Sequence, residues 1–430
     1  MQAIKLVIPG EYWDSQLYSG HLYLFGYSGD LTVVDWNAVI NDILSHDLGL
    51  KMAGYTAFLE SDLFYEKGAQ LMLQDPFIRK TLLSKFESLA RMNLQLDLEN
   101  INSSHISRKD NPLPFPHVDS EIYYRRLYVS LKTGVFYSAT VRTILNRQRW
   151  NAGFSIITEA NTNGGMRVSA SASKNVRSID SGCNGKNIKK DSIKVWDTPT
   201  FDITASRSYT TIAFATGSEG LFQQKFELGN KEKGPQKLVL VSGEHCTACK
   251  WTDFNIYATS HVHKSFFASF KKIQNTDNQR KHIRQFEKII PANDIFHGGG
   301  FSWGVEDKLY IYRNQGIDAI RYSSKKDGTP VFEPIGRLPL DAWKGEVVSA
   351  EVAPFGTVIE CENAIIVIQS NNEVFTIPGE PVNWRVFSKS HYYTNQLHII
   401  YEDRLEIFSF YNDYFVDQEN KISGIRMSGS

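Results

Sequence analysis

Three stretches of this chain carry residue types that do chemistry when they meet. The densest is Glu244-His245-Cys246-Thr247-Ala248-Cys249, followed by Ser260-His261-Val262-His263. Thiolate sulfur and imidazole nitrogen are the ligands that zinc takes in tetrahedral sites, at about 2.0–2.3 Å. The Cys-x-x-Cys has no second pair at knuckle spacing, so a site here would have to be assembled by folding. A hairpin centred near Asp253, with strands over 246–251 and 255–260, sets His245 and Cys246 opposite His261 and Val262, with His263 close behind. Period-two alternation puts Cys246 and Cys249 on opposite faces, so four converging ligands would need a bulge near Thr247. His245, Cys246, Cys249, His261 and His263 are thus candidates by type, but the expectation is a structural cluster without metal. In it Cys246 or Cys249 is buried, as free cysteine usually is.

The second stretch, Gly300-Phe301-Ser302-Trp303-Gly304, fits the G-x-S-x-G pattern. That motif works when a strand-to-helix turn thrusts the serine above a sheet. Here VEDKLYIYR follows, which reads as another strand, so no acyl-transfer role is expected. Ser171-Ala172-Ser173-Lys174 fits S-x-x-K with no supporting motif. No nucleophile, base and electrostatic stabiliser come together along the chain, so neither catalytic residues nor a cofactor are expected.

The third stretch is basic: KKIQNTDNQRKHIRQFEK from Lys271. Lys271, Lys272, Arg280, Lys281, Arg284 and Lys288 meet only Asp277 and Glu287 there. It reads as a solvated connection, or as a contact for an acidic partner or a nucleic-acid backbone. Over the whole chain 47 basic residues balance 47 acidic ones, which disfavours a dedicated duplex-binding protein. Four cysteines in 430 residues make no disulfide framework. The opening MQAIKLVIPGEYW lacks a leader's long apolar stretch, and no run approaches the ~18 apolar residues of a membrane helix. The chain reads as soluble and cytoplasmic, with no membrane partner.

The elements that must position these residues repeat. Seven times an alternating aromatic and aliphatic run reaches a polar turn and resumes, starting at His21, Arg126, Tyr209, Phe254, Lys308, Ala364 and Leu397. HLYLFGYSGDLTVVDW is the clearest, with Leu22 and Leu24 on one face, Tyr23 and Phe25 on the other, and Ser28-Gly29-Asp30 turning the chain. Both faces are apolar, as in a sheet packed between two others. A unit that cannot bury its faces alone must stack. The expected fold is therefore all-β, one seven-bladed β-propeller over residues 1–430. The strand Ala3–Pro9 is expected to close it against the last blade, which supplies only three strands of its own.

The starts lie 105, 83, 45, 54, 56 and 33 residues apart. A four-stranded blade takes about 40–50 residues, so the first two intervals carry insertions. One, over 71–107, is helical and follows the first blade. Asp75-Pro76 caps a helix to about Leu96, and Ile78, Leu82, Phe86 and Leu89 form its apolar stripe. That stripe either covers exposed edges or docks a partner, with Phe86 as the contact. A short helix over Trp36–Ser45 precedes it. The other insertion, 161–194, is rich in Gly, Ser and Asn, locally basic and expected to be partly mobile.

YSGDLTVVD, from Tyr27 to Asp35, resembles the turn and third strand of a WD-repeat blade, with Trp36 following and Gly20-His21 similar to that family's Gly-His pair. Trp196-Asp197 is a true WD dipeptide, placed before a blade. The resemblance covers one blade and implies the architecture. The functional expectation is a non-catalytic scaffold or complex subunit that binds one or more proteins through Phe86, Lys271, Lys272, Arg280, Lys281 and Arg284. Two alternatives stand beside it: an enzyme of hydrolase or lyase type with its site at the channel mouth, and a nucleic-acid-associated subunit.

Overall fold

The computed structural model describes residues 3–45, 47–110, 115–117, 119–123, 126–131, 134–138, 154–158, 202–205, 211–215, 220–225, 239–244, 246–252, 255–260, 265–274, 282–292, 295, 301–305, 308–313, 316–325, 330–339, 347–369, 373–387, 390 and 392–415. Two compact units divide the chain. One joins its beginning, Met1–Asn111, to Ala342–Ser430, and the other is built from Pro112–Val141 and Trp150–Asp341.

The first unit opens with β1 (Ala3–Pro9), β2 (Tyr12–Tyr18), β3 (His21–Gly26) and β4 (Asp30–Asp35). Helices α1 (Trp36–Leu44), α2 (Lys51–Phe58), a 3-10 turn (Ser61–Tyr65), α3 (Lys67–Met72) and α4 (Pro76–Ala90) follow, then β5 (Leu94–Gln95) and β6 (Ile106–Asp110). The second unit holds β7 (Asp119–Tyr123), β8 (Arg126–Leu131), β9 (Gly134–Ser138) and β10 (Phe154–Thr158). Its next sheet is β11 (Asp202–Ala205), β12 (Thr211–Ala215), β13 (Leu221–Lys225) and β14 (Val239–Ser242). After it come β15 (Cys246–Thr252), β16 (Asn255–Ser260), β17 (Ser265–Gln274) and β18 (His282–Pro291). The last four of this unit are β19 (Phe301–Val305), β20 (Lys308–Arg313), β21 (Gly316–Ser324) and β22 (Pro330–Pro339). The first unit then resumes with β23 (Val347–Ala353), β24 (Gly356–Cys361), β25 (Ala364–Gln369) and β26 (Val374–Pro378). It ends with β27 (Asn383–Val386), β28 (Gln396–Ile400), β29 (Arg404–Phe410) and a 3-10 turn (Asn412–Phe415).

Among the described residues these strands make seven small sheets, three in the first unit and four in the second. Six are four-stranded antiparallel sheets whose strands lie in chain order, and such up-and-down sheets are the blades of an all-β propeller. The remaining one runs β27-β28-β29-β1-β5, and the N-terminal strand is its fourth member, with Ala3 opposite Phe410 and Pro9 opposite Arg404. An exposed edge of β29 is thereby removed. One sequence expectation shifts by a strand. The stretch from Ala364 is the third strand of its sheet, not the second, which is β24. Second strands then start at Lys308, Gly356 and Gln396, and the anomalous short interval disappears.

The helical insertion also needs correction. It does not follow the first blade and is not confined to 71–107. The helices begin at Trp36 and end at Ala90, and they lie between the third and fourth strands of the sheet β2-β3-β4-β6. Capping chemistry explains what was legible. Asp35 accepts from the Ala38 amide (3.0 Å) at the start of α1, and Asp75 accepts from Phe77 N (2.8 Å) and Ile78 N (3.2 Å) at the start of α4. Helices α2 and α3 have no side-chain cap, so nothing local announces them. Helix α4 stops short of Leu96 because Leu94 and Gln95 pair in parallel with Leu6 and Val7.

Phe86 is fully buried rather than presented to a partner. Its ring stacks on Tyr411 at 5.2 Å and lies within about 6 Å of Phe64, Tyr414 and Phe415. An apolar stripe needs one surface, and this stripe has the last sheet and its C-terminal turn. Gln396 donates to the carbonyls of Ala57 (3.1 Å) and Phe58 (3.0 Å), and the Trp36 indole also donates to Phe58 (2.9 Å). Ser61 bonds the Tyr392 carbonyl at 3.0 Å, and Arg79 donates to the Phe415 carbonyl. The α2 end carbonyls, which have no helical partner, are thus satisfied by the sheet. At Ser19-Gly20, both with positive φ, the chain makes the tight reversal that favours glycine. A Cβ on Gly20 would come within 2.6 Å of the Asn37 side chain, and its carbonyl accepts from Trp36 N at 2.9 Å.

Candidate functional site

The chemistry-bearing group that folding brings together in the first unit lies between β2 and the pair β27 and β28. The side chains of Asp14, Ser15 and His398 are buried, and the Ser15 hydroxyl and His398 Nδ1 share a 3.0 Å hydrogen bond. Asp14 accepts from Ser15 N (2.7 Å), Asn383 (3.2 Å) and the Arg385 guanidinium (3.2 and 3.3 Å). The residue types are those of a nucleophile, a base and an orienting acid, but the wiring is different. Asp14 holds Arg385 and the backbone instead of steering the imidazole. Burial first, and then nearby Arg385, push the His398 pKa down to about 3, with Asp14 opposing. Phe387 presents its ring edge-on at 4.7 Å. The buried hydroxyl and the neutral imidazole join β2 to β28 across two sheets.

In the second unit the sequence candidates divide. Cys246 begins β15 and is buried among Leu221, Val241, Phe266 and Ala268. Burial first, and Glu244 second, raise its thiol to about 12, which keeps it protonated. Cys249 lies on β15 opposite Ala258, while Cys246 lies opposite Ser260. The register slips between Cys246 and Ala248, which leaves Thr247 as the extra residue of a bulge. His245, His261 and His263 lie outside the described residues. Among the described residues no three His, Cys, Asp or Glu side chains are grouped as metal ligands.

Ser302 of the G-x-S-x-G match sits inside β19, opposite Ile311, with strand β20 following, so the nucleophile turn is absent. Lys271 and Lys272 lie on β17 and Arg284 on β18, and the register sets Lys272 opposite Arg284. Arg280 and Lys281 lie outside the described residues, as do Ser171-Lys174, Trp196-Asp197 and the 161–194 insertion. Among the described residues no helix is long and apolar enough to cross a membrane.

No protein-family model and no curated protein matches the chain. Solved structures are similar to it only at low identity. Kluyveromyces lactis Hsv2 is 14% identical over 71% of this chain and 76% of that one, with a TM-score of 0.35. Human WBSCR16 is 10% identical over 66% and 70%, with a TM-score of 0.31. The WD40 propeller domain of Doa1 is 10% identical over 70% of this chain and 98% of its own, again at 0.31. The sheet order described above is what carries the propeller assignment.

Sequence reasoning missed the Asp14–Ser15–His398–Arg385 group. Its one local signal is Asp14-Ser15-Gln16, three consecutive polar residues within a strand whose neighbours are apolar. All three are buried. A polar run where both faces of a strand pack calls for partners elsewhere in the chain.

Proposed function

We propose that this chain is a non-catalytic scaffold that binds partner proteins. The observation that supports it most directly is the α3–α4 corner. Leu71, Met72 and Phe77 are 67, 60 and 79% exposed there, on helices whose other side is fixed to the last sheet. Scattered exposed apolar residues are ordinary, but three within seven residues on a buttressed corner form a contact surface. Aromatic and Met side chains are also enriched in protein interfaces.

The test is the size of the native assembly. The untagged chain should co-migrate with a stoichiometric protein when purified from its own cell. Replacing Leu71, Met72 and Phe77 with serine should release that protein without lowering the melting temperature. An unchanged assembly, or a solitary wild-type monomer, would overturn the reading.

A further inference from the structure

Trp13 is placed by an irregularity in its strand. Tyr12 lies opposite Gly26 and Asp14 opposite Phe25, which leaves Trp13 as the extra residue of a bulge in β2. A bulge re-aims the side chain it carries, and this one is anchored at its own carbonyl and at the next residue. Asn383 donates to the Trp13 carbonyl at 3.4 Å, and Asp14 accepts from Arg385. The half-buried Trp13 ring meets Tyr27, in the turn between β3 and β4, with centroids 5.7 Å apart and planes at 81°. Tyr27 is 40% exposed, although a large aromatic side chain gains most when it is covered. Two rings at right angles form two walls of a corner, and a ring face attracts a cation that lies over it.

Carboxylates stand beside that corner. The turn between β1 and β2 (Gly10-Glu11) and the turn between β28 and β29 (401–403) emerge at the same end of the two sheets as Tyr27. They are fixed to each other, because the Gly10 amide donates to the Asp403 carbonyl at 2.9 Å. Tyr12 folds back over this junction, its hydroxyl on the Pro9 carbonyl (2.9 Å), in space that a Cβ on Gly10 would take. Residues 10–11, 27–29 and 401–403 hold Glu11, Glu402 and Asp403 and no lysine or arginine. Burial first, then Glu402 and Glu11, raise the Tyr27 phenol above its ordinary value, so both carboxylates act on the surroundings of the ring. Arg404, at the start of β29, shows what such a setting holds. Its guanidinium lies 4.5 Å from the centre of the Tyr401 ring while it bonds Asp403 (2.7 Å) and Glu406 (2.9 Å). A planar guanidinium stacks on a ring and bonds a carboxylate at once, which a compact ammonium does less well.

We propose that the Trp13–Tyr27 corner binds a basic segment of a partner protein, seating one of its arginine side chains between the rings and the Glu11 and Glu402 carboxylates. It goes beyond the scaffold reading by giving a second surface of the first unit a defined ligand chemistry. An acidic segment would set like charges against the three turn carboxylates, and an apolar one would leave them without a counter-charge.

The probe is a fluorescent dodecapeptide of alternating arginine and serine, titrated with the full chain and read by anisotropy. The wild type should bind it, more weakly as salt rises. Glu11→Gln with Glu402→Gln should weaken binding about tenfold. Tyr27→Leu, which keeps the charge and loses the ring, should weaken it several-fold, while Tyr27→Phe should retain it. Glu11, Tyr27 and Glu402 are all exposed, so these variants should melt at the temperature of the wild type. Glu402→Gln alone, weakening binding several-fold, serves if the double variant fails to fold. No binding by the wild type, undiminished binding by Tyr27→Leu or by the folded glutamine variant, or tighter binding of the matching lysine or glutamate peptide would overturn the proposal. The serine variant of Leu71, Met72 and Phe77 should bind the peptide normally, so a failure at the helical corner and one at the aromatic corner are read separately.

Discussion

Ser15 and His398 in the first unit and Cys246 in the second are equally shut away from water, yet they are silenced by opposite means. The first pair sits in a seam of polar groups, with Asp14 and Arg385 beside it. Cys246 sits among apolar side chains, and burial alone is the main cause of its raised pKa. Polar seams bind sheets directionally, because every donor must find its acceptor, whereas an apolar contact tolerates many partners. The two units therefore differ in what breaks them.

The largest effect is expected at Arg385. Arg385→Ala leaves a buried carboxylate at Asp14 without its cation and should cost about 3–5 kcal/mol in chemical denaturation. A loss under 1 kcal/mol would mean that the seam is not stabilised electrostatically. Next comes pH. His398 has a folded pKa of about 3, below the ordinary 6.5, so the unfolded chain takes up the proton first. Its contribution is fully present above about pH 6.5. It should fall by at most about 1.4 kcal/mol per unit as the pH drops toward 3. His398→Gln should lack that part of the slope, and identical slopes for variant and wild type would remove His398 from the account.

The second unit supplies the smaller effects. Cys246→Ser places a hydroxyl among apolar neighbours and should cost about 2 kcal/mol. Cys246→Ala should cost about 1 kcal/mol, less than the serine variant. The reverse ranking would show that polarity at Cys246 is wanted, as it is in the first unit. Back in the first unit, Ser15→Ala should cost about 1–2 kcal/mol, the ordinary loss on removing one partner of a buried hydrogen bond.

What the sequence made legible was local. Alternating runs announced the strands, and Asp75-Pro76 announced α4, because a cap and its helix lie within a few residues. Three consecutive strands look alike from within, so the run from Ala364 reads as a second strand although it is the third. A one-residue bulge at Thr247 interrupts the regular alternation of β15, and no residue type in the run announces it. The Ser15–His398 contact joins residues 383 positions apart, and no local pattern encodes such a distance. Phe86 was recognised as apolar, but whether it met a partner or its own chain depended on Tyr411 and Phe415.

The pairing of β1 with β29 also sets an order of events during synthesis. Ile4 leaves the ribosome roughly 400 residues before Ser409, its partner across the ladder. At about 5–20 residues per second, the apolar segment AIKLVIP waits on the order of tens of seconds for the strand that will cover it. Until then it is an unpaired β-former in a crowded medium, able to join any open sheet edge it meets. During synthesis β1 therefore stays uncovered until β29 emerges, and it is over that interval that it calls most on chaperones.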